Sequence, residues 1–159
     1  MSKVLIAVDF SDVTGRVVNE GVKLAKALGS EVVLIHTEPP ESGYVFYDAA
    51  YSALGGMGYY TDYNPDLEKA HQEIIRNNEH ALQVLKDVVE KKGVEVSTIL
   101  IEGEVTSALI DETSSEEYEM LVVGSHQHGK LYNLLFKDLS SSLLNKVKCP
   151  LLIVPKRKQ

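Results

Sequence analysis

Tryptophan is absent from this chain of 159 residues, and cysteine occurs once, at Cys149. A single cysteine cannot close an intramolecular disulfide, so nothing points to a cross-linked scaffold or an oxidising compartment. No apolar run approaches the roughly 20 residues that a membrane-crossing helix requires. The chain opens Met1-Ser2-Lys3 and passes into a short apolar stretch, without a hydrophobic leader core or a small-residue cleavage site. A cytoplasmic location and no membrane partner are expected. Positive charge is in deficit, with 16 Lys and Arg against 23 Asp and Glu and a net charge of −7. Affinity for phosphate backbones comes from clustered cations, so nucleic acid is not an expected partner. The basic tail Lys156-Arg157-Lys158 is the exception and reads as a solvated end. The glycine fingerprints GxGxxG and GxxxxGK[ST] are missing, as is GxSxG. This removes the two commonest nucleotide signatures and the hydrolase elbow.

What is there is a regular alternation. Lys3 to Val8 is a short run of branched apolar residues, the mark of a strand buried on both faces. Ser11 and Asp12 are N-cap candidates for a helix to about Leu28, with Val17, Gly21, Leu24, Ala25 and Leu28 on one face and Gly29 as C-cap. Glu31 to Thr37 is a second strand, stopped by Pro39-Pro40. A long helix capped by Asn64, with Pro65 in its first turn, runs to Lys91 or Lys92. Its predicted inner stripe includes Leu67, Ile74, Ala81, Leu85 and Val88. Val94 to Glu102 is a third strand, and Thr106 to about Ser114 a short helix presenting Ala108, Leu109 and Ile110. Met120 to Val123 is a fourth strand, Asp138 to Lys146 a helix, and Pro150 to Val154 a fifth strand. Strands apolar on both faces, separated by amphipathic helices, predict one α/β domain over 1–159, with a parallel sheet covered on both sides.

Residues 41–64 break the pattern with six Tyr, four Gly and no Lys or Arg. A long connection of this kind is read as functional, and its aromatic content argues against plain disorder. The expected role is a lid over the carboxyl edge of the sheet. The alternative is a surface for a protein partner or an extra dimer contact.

Ligands of open parallel sheets bind at the carboxyl ends of the strands, where strand order reverses. That rule selects Asp9 and Ser11 after the first strand, Thr37 and Glu38 after the second, and Gly124 through Gly129 after the fourth. They meet at one crevice if the first and fourth strands are neighbours. His126 and His128 flank Gln127, but two histidines without further ligands make a poor metal site. No metal is expected. His36 lies within a strand and reads as a satisfied core or strand-end residue, and Cys149 reads as packing.

The segments KVLIAVDFS (3–11), EVVLIHT (31–37), GEVTSALI (103–110) and MLVVGSHQHGKLYNLLFKDLSSSLLNKVKCPLLIVP (120–155) resemble the universal stress protein pattern in order and spacing. The resemblance implies a Rossmann-like five-stranded sheet of order 3-2-1-4-5. It also implies a homodimer made through the last strand, about Pro150 to Val154, whose free apolar edge needs covering. Members that bind ATP share a G-x-x-G, nine residues, G-[S/T] loop after the fourth strand. Its glycines admit backbone N–H groups to the phosphates.

This chain matches that loop at Gly124 and departs at Gln127, Lys137 and Asp138. Lys137 in place of a glycine costs about 1 kcal/mol if the position is left-handed. A carboxylate at Asp138, roughly 4 Å from a phosphate at an effective dielectric near 20, repels it by about 4 kcal/mol. Lys130 and Lys137 offset some of that charge. Asp9 and Thr37 stand where the binding members contact adenine. The expectation is therefore a non-catalytic stress-response module with weak or absent ATP binding and no required cofactor. The alternative is an adenine-nucleotide switch holding ATP or AMP in an altered loop, with Asp9, Ser11, Thr37, Gly124, His126, Gly129 and Asp138 around it. An enzyme using Asp9, His126 and His128 is the third reading. It lacks a poised nucleophile–base pair.

Overall fold

Lys3–Ala7 forms strand β1, and the rest of the sheet is built outward from it. The structure, a computed structural model, describes residues 1–38, 65–125 and 143–157. After β1 come α1 (Thr14–Leu28), β2 (Glu31–Glu38), α2 (Pro65–Lys91), β3 (Val96–Glu102), α3 (Val105–Ser115), β4 (Met120–Ser125), α4 (Leu143–Lys146) and β5 (Leu151–Pro155). The five strands are all parallel, in the order β3-β2-β1-β4-β5. The register places Ile6 beside Leu34 on one side and Val122 on the other. The predicted 3-2-1-4-5 sheet is therefore the observed one. The 41–64 stretch lies outside the described residues.

The alternation of side chains along a strand sends each set to its own core. Val4, Ile6, Val8, Val32, Leu34 and Val122 join Val17, Val18, Val22 and Ala25 of α1 and Leu82 and Val89 of α2. Leu5, Ala7, Val33, Ile35, Leu121 and Val123 join Leu109 of α3 and Leu143 of α4. Cys149 packs at the margin of the second core, where burial pushes its thiol pKa up, a change that keeps it unreactive.

Two expectations about helix faces need correction. Leu28 is 47% exposed and Val88 41% exposed, so neither belongs to an inner stripe. The inward seam of α2 is His71, Leu82 and Val89, with Ile75, Asn78 and Leu85 partly buried between them. That seam repeats at intervals of four and three, but two of its members are polar, and so an apolar-only reading shifts the stripe. The N-cap of α1 is also displaced. Val13 occupies the cap and makes no side-chain capping bond, because Ser11 and Asp12 are drawn into the turn before the helix.

Helix α1 approaches the sheet at two glycines. A methyl group at Gly21 would lie 2.3 Å from Ile6 Cδ1, and one at Gly124 would lie 2.9 Å from Val17 Cγ2. Helix α3 is fixed differently. The Glu104 carboxylate accepts from the Thr106 and Ser107 amides at 2.9 and 2.8 Å and from the Ser107 hydroxyl at 2.9 Å. Burial pushes its pKa up, and these hydrogen bonds overcome that, leaving it below the usual carboxylate range.

Gly21→Ala should cost about 1–3 kcal/mol in urea unfolding through overpacking against Ile6. Gly15→Ala, with open space around the new methyl, should be neutral or stabilise by up to about 1 kcal/mol. Equal effects at the two sites would contradict the close-approach account. Glu104→Ala should cost about 0.5–2 kcal/mol at neutral pH. Because the folded pKa is depressed, the stabilisation is present above the unfolded carboxylate value and fades as pH falls through the folded one. The difference between wild type and variant, followed by denaturation from pH 7 downward, should therefore shrink in acid.

Candidate functional site

Strand order reverses between β1 and β4, which are hydrogen-bonded neighbours, so the crevice at their carboxyl ends is the switch point of this sheet. Beyond β1 the chain turns into α1 through an Asx-type turn. Asp9 Oδ1 accepts from the Ser11 amide at 3.0 Å and from the Thr14 hydroxyl at 3.3 Å. Ser11 Oγ accepts from the Val13 amide at 3.3 Å, which leaves its own O–H to donate elsewhere. Phe10 sits between them at φ 56°, the one positive φ of a non-glycine among the described residues. For a bulky residue that conformation costs about 1–2 kcal/mol, and such strain gathers at working sites.

The Phe10 ring explains how the strain is held. Its centroid lies 4.4 Å from that of His36, with the rings tilted by 39°. His36 is buried, and its Nδ1 is 2.7 Å from the Val8 carbonyl, so Nδ1 carries the proton and donates. Its Nε2 faces Glu38 Oε2 at 3.4 Å, and the same oxygen accepts from Asn78 Nδ2 at 2.9 Å. His71 Nε2 approaches Glu102 at 3.3 Å, next to Glu38 in the β2–β3 register. His36 is thus the strand-end residue expected of it. The network it belongs to was missed. The available signals were the period-two spacing of His36 and Glu38 and the seven-residue spacing of His71 and Asn78.

Thr37 is half-buried on β2 beside Ile101 of β3. The Val8 amide donates to the Ile35 carbonyl at 2.9 Å, which continues the β1–β2 pairing toward Asp9 and Thr37. Gly124 is the penultimate residue of β4, one residue further into the strand than the sequence predicts, beside Val154 of β5, and its missing side chain makes room for Val13 and Val17. Gly124 therefore has a packing reason to be glycine in addition to any ligand. The fold brings Asp9, Ser11, Thr37 and Gly124 to one edge. His126, Gly129 and Asp138, together with Gln127 and Lys137, lie outside the described residues.

The end of the chain returns to this edge. Arg16 Nη1 donates to the Pro155 carbonyl at 2.6 Å, and Lys156 Nζ pairs with Asp12 Oδ2 at 2.7 Å. The basic tail is solvent-exposed at Lys156 and Arg157, as read from the sequence, and Lys156 in addition makes an exposed ion pair with Asp12 at the start of α1. Among the described residues, no group of three or more His, Cys, Asp or Glu is arranged to hold a metal ion, and no helix is long and apolar enough to cross a membrane.

Comparison with known proteins agrees with this architecture. The sequence matches the universal stress protein family over residues 1–155. It is 24% identical over 153 residues to universal stress protein YxiE of Bacillus subtilis, covering 96% of this chain and 98% of that one. The solved structure of protein MJ0577, whose sequence is that of a universal stress protein of Methanocaldococcus jannaschii, superposes with a TM-score of 0.72 at 16% identity and covers 99% of this chain and 98% of its own. A universal stress protein of Archaeoglobus fulgidus in complex with dAMP gives a TM-score of 0.63 at 18% identity, covering 96% of this chain and 97% of its own. On sequence pattern, strand order and these matches together, the chain belongs to the universal stress protein family.

Proposed function

We propose that the protein is a non-catalytic binding module of the stress response. Its crevice between β1 and β4 holds ATP weakly and is better suited to an adenosine monophosphate. The observation that carries this reading is the split character of the site. Asp9, Ser11 and Thr37 stand together at the carboxyl edge, the base end, while Gln127, Lys137 and Asp138 replace the glycines and the hydroxyl of the phosphate loop.

A triphosphate brings its charge toward the Asp138 carboxylate, where like charges repel. A monophosphate brings less. Solved structures of the same fold hold cAMP, dAMP and AMP, all monophosphates. Asp9 supports a binding role over a catalytic one, because its Oδ1 already serves two donors of the turn. The module is proposed to work as a homodimer joined along β5, the outer strand, where Leu151, Leu152 and Ile153 are only partly buried.

Calorimetric titration with AMP and ATP should give AMP the lower Kd by about tenfold, equivalent to about 1.4 kcal/mol. Purified protein carrying stoichiometric ATP would overturn the reading. The combined change Gln127→Gly, Lys137→Gly and Asp138→Ser should raise ATP affinity selectively, and no gain would remove the account of the loop. Light scattering should report a dimer that Ile153→Lys converts to monomer, whereas a wild-type monomer would reject the β5 interface.

A further inference from the structure

The outer side of α1 carries a shallow groove of about 540 Å³, lined by Arg16, Asn19, Glu20, Lys23, Lys92 and Arg157. Four cations against one carboxylate leave three positive charges there, in a chain whose net charge is −7. Separate parts of the fold assemble them: α1, the residue that follows α2, and the basic tail. Two of the cations are anchored by neutral groups, Arg16 on the Pro155 carbonyl and Lys92 on Asn19 Oδ1 at 2.9 Å. The Lys156–Asp12 pair brings Arg157 to the rim. Among the described residues, Lys23 alone of the four pairs with a carboxylate, that of Glu20 at 2.8 Å. The Glu20 carboxyl is held below its usual range by the Lys23 hydrogen bond first, against the opposing effect of desolvation, with the charges of Lys23, Arg16 and Arg157 adding to the lowering. The groove therefore carries a positive potential that its own acid does not cancel.

We propose that this groove is a binding site for a linear oligophosphate anion. Arg16 and Lys23 are seven residues apart on α1, two turns or about 10 Å along its axis, and Arg16 is turned to the Pro155 carbonyl while Lys23 is turned to Glu20, so the cations are spread along the groove instead of converging on one point. A short chain of phosphates spans them and reaches Lys92 or Arg157 at the sides. A duplex nucleic acid fits poorly, because the groove is small and the rest of the molecule repels it. The groove shares no lining residue with the Asp9–Gly124 crevice, so the proposal does not depend on nucleotide binding there.

The test is an amide NMR titration of the full-length protein with tripolyphosphate, orthophosphate and a glutamate peptide at matched ionic strength. Tripolyphosphate should move the signals of residues 16–23, Lys92 and Arg157 saturably, with an affinity about tenfold or more above orthophosphate, since linked charges bind together. The affinity should fall steeply with salt. Lys23→Ala with Arg157→Ala should weaken it about tenfold or more without moving the unfolding midpoint. Excess AMP should not displace it. Equal affinity for orthophosphate, tighter binding of the glutamate peptide, shifts confined to residues 9–11 and 124, or an undiminished affinity in the double variant would each overturn the proposal. If the double variant proves unstable, Lys92→Ala alone should still weaken binding several-fold, and no change would count against the site.

Discussion

Helix α1 can lie close on β1 and β4 because Gly21 and Gly124 present hydrogen where other residues present a methyl group. Much else follows from that contact. It seats Val17, Val18, Val22 and Ala25 in the first core, and it sets where the helix must begin. The beginning of the helix in turn determines the short turn from β1, and that turn is the floor of the switch-point crevice. Gly124 is therefore pulled in two directions. Ligand approach is one reason for a glycine at the carboxyl end of the fourth strand, and the packing of Val13 and Val17 is another that holds whether or not a phosphate ever arrives.

The crevice is organised from below. Phe10 is held in a left-handed backbone conformation, and its ring meets His36, which is buried and hydrogen-bonded to Val8 and faces Glu38. Asn78 ties the same carboxylate to α2. A polar network at a strand end lets a long helix dock on an edge where apolar packing is thin, since β3 itself has exposed Ser97 and Thr98. The price of keeping these groups out of water is met by mutual hydrogen bonding, the condition under which buried polar side chains persist. The tail contacts are of another kind, since the Arg16–Pro155 and Lys156–Asp12 bonds that link the end of β5 to the start of α1 are solvent-exposed.

The family resemblance and the chemistry of the site carry different information. The fold is shared with distant structures at 14–18% identity. What this chain does with the fold rests on its own residues. Asp9 and Thr37 stand at the carboxyl edge proposed for the base, and the sequence departs from the ATP-binding loop pattern at Gln127, Lys137 and Asp138.

The alternation of β-branched runs and amphipathic helices fixes the α/β class, because a strand apolar on both faces is stable only with helices on both sides. It also located Asp9, Ser11, Thr37 and Gly124, since in a parallel sheet the residues just past each strand share one edge by construction. Long-range pairing is a different matter. Nothing local in Lys156 names Asp12 as its partner, and nothing in His36 names Phe10. On α2 the expected stripe holds at Leu85 and fails at Val88, and it omits His71 and Asn78, which are polar by type and inward by position. Local sequence determines which way a segment folds. Which charges and rings then meet is decided by the tertiary structure, because those distances depend on how separate elements are stacked.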